Sequence, residues 1–548
     1  MGAVALLKQS FLDAEWYKTQ KNQINLSYEA LLTHINLPQI FAISNELDYN
    51  RVYKIADEFE IDFIIKGNGK EFLEFEELQN NNLPVIIPIN FPNSYEVNNP
   101  EATDLISLKK LKEWESAPYN ARILAENKIK FCITSSDLEN TNDFLKNLKL
   151  AIKKGFNKRD ALSSLTTTPA SLINASDLLG SLEAGKLANF IITSDDIFEN
   201  GKIYENWTLG EKHIINNKPS TDIRGYYTFN SKKFKNNFIA IKGSLEKPKM
   251  TFYSLDSNNI ITLLEKNNIT LSNHDGSFRA IGKVVGKDIT GRYQDENGAY
   301  HTFHMLRDSL FYEPEEEEIK KEINTSIPSI WLPNKAFGFK NKPKHQNVIF
   351  QNATIWTNEP AGILQKHDVI ISKGKIIAIG SLLNPLNYFE KEKFDIIDAS
   401  KLHLTSGIID EHSHIAISKG VNEASQAISA EVRIGDVINP NDQNIYRQLS
   451  GGTVACQLLH GSANPIGGQS AIIKLRWGSK AEELKIKDAD NFIKFALGEN
   501  VKQSNWGDFE TVRFPQTRMG VEQVFYDAFY RAKIYDHAWN EYNNLTSK

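Results

Sequence analysis

The chain nearly repeats itself at its two ends. MGAVALLKQSFLDAEWY opens at Met1 and MGVEQVFYDAFYRAKIY begins at Met519. The two stretches register without a gap: Leu7 with Phe525, Phe11 with Phe529, Ala14 with Ala532, Tyr17 with Tyr535. Each reads as an amphipathic helix, and the shared Met-Gly start and final Tyr carry the match beyond the apolar positions that two such helices have in common. We read an internal repeat, and it constrains the order of everything between. The chain starts at a point of one module that corresponds to where a second copy runs out, so late parts of a first module precede early parts of a second.

Strand patterns fill both halves. From about Lys401 to Met519 come GIIDEHSHI, TVACQLL after Gly451 and Gly452, SAIIKLRW and FIKFAL. After the opening helix come PQIFAI, IDFIIKG, LPVIIPI and IKFCITS, with helices such as Tyr49 to Phe59 and Asn142 to Gly155 between them. Four strands in each half sum to an eight-stranded α/β barrel, and His412 to Met519 plus Met1 to Asp137 amounts to about 240 residues, the size of one such barrel. Two arrangements follow: the halves dock as a permuted barrel, or each stays an open sheet. Between them, NFIAIKGSL, KMTFYSL, NIITLL, SFRAIGKVVG and AYHTFHML are short alternating strands of an all-β module. His301 and His304, three apart, fall on opposite faces of a strand and are expected to be structural or exposed. EPEEEEIKKE reads as a solvated charged run, and Ile327 to Lys344 as an extended connector. Asn347 to Ile379 reads as sandwich strands, with Phe190 to Ile192 and Lys212 to Ile215 expected to supply others.

The stretch with the clearest chemistry is GIIDEHSHI, Gly407 to Ile415. An apolar strand ends by presenting histidines at i and i+2, on one side of the strand, as two ligands of one metal ion require. Histidines of a polar loop that bind nothing are the alternative. At 548 residues the chain is too long for one core. Its net charge of -5 gives no reason to expect nucleic acid or an anionic membrane. Cys132 and Cys456 sit in apolar strand-like runs and are expected to be buried thiols, which leaves the redox compartment open. No apolar stretch approaches the roughly 18 residues of a membrane span, and no basic segment leads into an apolar core at the start, so the chain as written is expected to carry no export signal.

Two longer stretches carry a family resemblance. IIDASKLHLTSGIIDEHSHI resembles the passage from a small β-sandwich into the first barrel strand in the metal-dependent amidohydrolase superfamily, and more closely in its imidazolonepropionase-like members. DALSSLTTTPASLINASDLLGSLEAGKLANFIIT is similar to the stretch that closes such a module. The resemblance covers about residues 1–222 and 346–548 and implies the middle portion of a tandem two-module amidohydrolase. The fold class it implies is α/β: halves of (β/α)8 TIM-barrel type with a small β-sandwich, plus the intervening all-β module. The expected divisions are 1–192 for the late half of a first barrel, 193–222 for closing sandwich strands, 223–312 for the all-β module, 313–346 for the linker, 347–404 for opening sandwich strands and 405–548 for the early half of a second barrel.

The same resemblance assigns roles. His412 and His414 are the implied metal ligands, and Lys494 is either a further ligand, as a carbamate bridging two metals, or a solvent-facing lysine. The family's histidines on the fifth and sixth strands are missing, with Phe41 and Lys66 standing in their places, so the first module is degenerate at its metal site. Asp137 matches the family's catalytic aspartate, or caps the helix that follows. His460 at the end of the second strand, with Asn464 and Gln469 in the loop after it, either faces substrate or is structural. The implied cofactor is one or two divalent ions, zinc first and manganese or iron next. The implied activity is hydrolysis of carbon–nitrogen bonds other than peptide bonds, in a small-molecule amide or cyclic amide. A non-catalytic binding or scaffolding protein and a dipeptidase-like hydrolase are the alternatives. Oligomeric state stays open, as does compartment, although tandem proteins of this kind are often exported to the periplasm.

Overall fold

The structure is a computed structural model that describes residues 1–19, 23–218, 221–231, 237–243, 248–252, 260–265, 267–273, 279–295, 297–310, 325–389, 392–502 and 513–546. The charged run EPEEEEIKKE lies outside the described residues. The fold is mixed α/β, and the chain divides into two compact units, Met1–Glu139 with Ser326–Lys548, and Asn140–Thr325.

In the first unit, four apolar runs become a parallel sheet in chain order, β1 (Gln39–Ala42), β2 (Phe63–Lys66), β3 (Val85–Pro88) and β4 (Phe131–Thr134). Parallel neighbours need crossovers, and helices supply them: Asp48–Phe59 buries Tyr49, Val52, Ile55 and Ala56, and Asn120–Glu126 buries Ala121, Ile123 and Leu124. The opening helix, Gly2–Thr19, buries Phe11, Ala14 and Tyr17, with Phe11 set 5.0 Å from the ring of Phe59.

The second half of this unit is built differently from four parallel strands. β21 (Ile408–Ser413) pairs in parallel with β22 (Thr453–Leu458), but β24 (Ala471–Lys474) returns antiparallel to β22. The reason is the connection. Residues 459–470 carry β23 (Ile466–Gln469), which pairs antiparallel with β25 (Ile493–Phe495), and too little chain is left for a helical crossover. Ile434, Ile438, Ile445, Cys456, Leu458, Ile473, Leu475, Trp477 and Leu484 form the local core. Ahead of it stands a five-stranded sheet, β16 (Val348–Trp356), β17 (Ile363–Ser372), β18 (Lys375–Gly380), β19 (Asp395–Asp398) and β20 (His403–Thr405). Cys132 and Cys456 are buried and free.

The two halves of this unit meet without sharing a sheet. Among the described residues no strand of β1–β4 pairs with β21–β25. Polar contacts join them instead: the Arg51 guanidinium donates to the Asp436 carbonyl and the Ser418 hydroxyl, and Lys480 pairs with Glu77 at 2.7 Å. The connector is a strap across both. Ile327 and Ile330 pack on Phe72, Tyr119 and Ile123, the Lys112 ammonium lies 4.4 Å over the Trp331 ring, and Phe337 stacks on Tyr446 while its carbonyl accepts the Trp477 indole N–H. Gly478, at φ +87°, lets the strap approach, since a Cβ there would lie 2.9 Å from Phe339 and 3.0 Å from the Leu332 carbonyl.

The second unit begins with helices Asp143–Lys153, Lys158–Leu165 and Thr167–Leu172 and an antiparallel sheet of β5 (Phe190–Thr193), β6 (Ile203–Thr208) and β7 (Glu211–Ile214). β5–β7 form their own three-stranded sheet. Then follows a closed antiparallel barrel, β8 (Gly225–Ser231), β9 (Asn237–Gly243), β10 (Pro248–Phe252), β11 (Ile260–Glu265), β12 (Asn268–Asn273), β13 (Arg279–Val285), β14 (Asp288–Gln294) and β15 (Tyr300–Leu310). Alternation fills its interior with Tyr227, Phe229, Ile239, Ile241, Ile269, Leu271, Phe303 and Met305. His301 reaches Asp295 at 2.8 Å, and His304 is exposed on the outer face.

Candidate functional site

β21 delivers the histidine pair. Ser413 is buried while His412 and His414 on either side of it are exposed, as period-2 alternation demands. The strand bulges against β22 between Asp410 and Ser413, which turns the two rings toward each other, 5.2 Å apart and nearly perpendicular. Nδ1 of His414 lies 2.8 Å from the Leu459 carbonyl, so that nitrogen carries the proton and Nε2 presents a lone pair. Nε2 of His412 lies 3.1 Å from the Lys494 ammonium on β25, which donates to it. Burial holds the Lys494 amine below its ordinary value.

His460 lies behind this group at 1% exposure, with neither ring nitrogen hydrogen-bonded. Burial first, then the charge of Lys494, lowers its pKa to about 4 and keeps the ring neutral. Gly468 makes room for it, since a Cβ there would lie 2.4 Å from the ring. Asn464 and Gln469 are engaged with backbone. The Asn464 amide donates to the Glu423 and Gln426 carbonyls at 2.6 Å each, leaving a buried Oδ1 without a partner, and Gln469 donates to the Ala430 carbonyl at 3.1 Å.

Asp137 stands apart from this cluster. It follows β4 in a left-handed conformation, φ 67°, and its carboxylate forms an ion pair with the ammonium of Lys66 at the end of β2. Thus the structure brings together His412, His414, Lys494 and His460, and gives Asp137 to Lys66. Among the described residues no three His, Cys, Asp or Glu side chains converge as a metal-holding group.

A family model described as "Amidohydrolase family" matches residues 113–270. Amidohydrolase tasK of Hapsidospora irregularis is 34% identical over 215 residues, covering 34% of this chain and 21% of its own length. Residues 113–270 thus resemble the amidohydrolase family. The chain spans about a fifth of the length of that curated relative. Among solved structures, an amidohydrolase from Thermotoga maritima MSB8 is 32% identical over 35% of this chain and 49% of its own, with a TM-score of 0.30, and phenylurea hydrolase B is 16% identical over 32% and 43%, with a TM-score of 0.24.

A divalent metal is the cofactor this superfamily suggests, and the residues present do not by themselves fit one. A catalytic zinc takes three protein donors, and here one imidazole lone pair, on His414, stands open while that of His412 accepts from Lys494. Sequence reasoning missed the Lys66–Asp137 pair and the cavity under the connector. Both join residues far apart in the chain, and no local pattern announces either.

Proposed function

We propose that the protein from which this sequence reads is a metal-dependent hydrolase of carbon–nitrogen bonds other than peptide bonds, acting on an amide or cyclic amide, and that His412 and His414 are two of its metal ligands. The juxtaposed rings of His412 and His414 at the tip of β21, one with its outer nitrogen open, are the observation that carries the reading. Lys494 is the third group of the set: as a neutral amine or a carbamate it would exchange its donor for an acceptor toward the same space. His460, Asn464 and Gln469 form the floor of the substrate side. Asp137, held by Lys66, belongs to a half whose own site is degenerate. The arrangement of strands as two α/β half-barrels of a tandem protein is part of the same proposal.

The test is metal content and binding. Purified chain is dialysed against zinc, manganese or ferrous ion and assayed by elemental analysis and calorimetry, beside His412→Ala and His414→Ala. Weak zinc binding, in the range of about 10 μM to 1 mM, and its loss in either variant are expected. A chain that takes up no metal, or takes it up equally without both histidines, favours the binding-protein reading.

A further inference from the structure

A cavity of about 450 Å³ lies within the first unit, where loops of the early residues, the connector strap and loops of the late residues meet. That is the size of a metabolite site. Its lining mixes apolar and charged side chains about equally, and the charges do not cancel. Glu46 is paired with Lys109 at 3.3 Å, and Glu482 with Lys54 and with Lys485. Lys335 and Lys419 have no carboxylate partner among the described residues: the Lys335 ammonium donates to the Asn441 carbonyl at 3.0 Å, and that of Lys419 to the Ser44 hydroxyl at 3.3 Å. Against these two cations stands the Asp436 carboxylate, which enters no ion pair among the described residues.

Two further groups in the wall lack partners. Ser479 is 6% exposed, and its buried hydroxyl makes no hydrogen bond. The buried amide nitrogen of Asn334, beside Lys335 on the strap, makes none either. Buried donors left without an acceptor each cost about 1–3 kcal/mol, so their retention in one wall calls for an acceptor. Glu74, also in the lining, is pushed up to about 8 by burial and keeps its proton at neutral pH, which makes it one more donor. Burial first, then the nearby charge of Lys109, holds the Lys335 amine below the ordinary range, against the opposing pull of the Asp442 carboxylate.

We infer that this cavity binds a small oxyanion, with Lys335 supplying the charge and Asn334 and Ser479 the directed hydrogen bonds. The site is independent of the histidine pair on β21 and of the hydrolase reading. The connector is then part of a binding site as well as a tether.

The experiment is calorimetric titration of the full chain with acetate, succinate and inorganic phosphate at constant ionic strength. Saturable binding near 1 mM or tighter is expected for at least one of them, about 4 kcal/mol; which one identifies carboxylate or phosphate as the source. Lys335→Gln should weaken it at least tenfold and Ser479→Ala several-fold. Ser479→Ala removes an unsatisfied hydroxyl, so its melting temperature should hold or rise while binding falls, a split that a merely structural serine would not give. Binding should be unchanged in His412→Ala, which separates this site from the proposed metal site. No saturable binding of any of the three anions to folded wild-type chain overturns the inference, and so does binding that survives both cavity variants unchanged.

Discussion

Glu71 shows how one residue can hold a loop. It is fully buried, accepts from the Tyr49 hydroxyl at 2.8 Å and from the backbone N–H groups of Asn68 and Gly69 at 2.9 and 3.0 Å, and takes a further bond from the Asn120 amide. All of these partners are donors, so Glu71→Gln would turn an amide N–H₂ against some of them. We expect a loss of about 2–4 kcal/mol, read from the denaturant midpoint. Glu74, three residues on, behaves oppositely. Its carboxyl keeps a proton in the folded chain up to about pH 8, whereas the unfolded chain gives it up near the ordinary carboxylate value of 4.5. Between those limits the unfolded state binds fewer protons, so stability falls as pH rises through the window and levels off above it. Glu74→Gln should flatten that slope. Comparing urea midpoints at pH 5.5 and 8.5, we expect the wild type to lose about 1–2 kcal/mol more than the variant, after allowance for the group's partial exposure.

At the scale of elements, the two segments that register with each other are both helical, Gly2–Thr19 and Arg518–Thr546, yet they meet different surroundings. Phe11 and Tyr17 are 8% and 4% exposed; Phe529 and Tyr535, in register with them, are 54% and 66% exposed. Helical periodicity was readable from sequence in both, but burial was not, because it depends on what the face meets. Phe11→Ala should cost about 3–5 kcal/mol, and Phe529→Ala within about 0.5 kcal/mol of nothing, by thermal or chemical unfolding. Equal losses at both positions would mean that the second helix is covered in solution. The strands divide in the same way. Runs such as IDFIIKG and LPVIIPI name β2 and β3 directly, whereas SAIIKLRW gave no sign that β24 would turn back on β22, since strand direction is set by the length and content of the connection and not by the strand.

For the whole molecule, the strap from Ile327 to His345 decides how the first unit is held. Its contacts are aromatic and polar and come from both halves: Trp331 under Lys112, Phe337 on Tyr446, the Pro343 carbonyl accepting from Arg476 at 2.9 Å. Trp477 anchors it from below, being 4% exposed and bonded to the Phe337 carbonyl at 2.8 Å. Trp477→Ala should cost about 3–5 kcal/mol and should raise amide exchange in both the strap and residues 71–77. Exchange that rises only around position 477 would show that the halves do not depend on the strap.

Spacing alone was enough to place His412 and His414 on one side of a strand, to mark the four runs that became β1–β4 and to keep Cys132 and Cys456 inside, because these follow from local periodicity and the cost of exposing apolar surface. Tertiary structure alone decided that Asp137 meets Lys66, that His460 is sealed without a hydrogen-bond partner, that Lys494 occupies a lone pair of His412 and that a donor-lined cavity opens under the connector. The ion pair, the lysine–histidine contact and the cavity join groups tens to hundreds of residues apart, and electrostatic and hydrogen-bond partners at such separations are selected by the packing of whole elements.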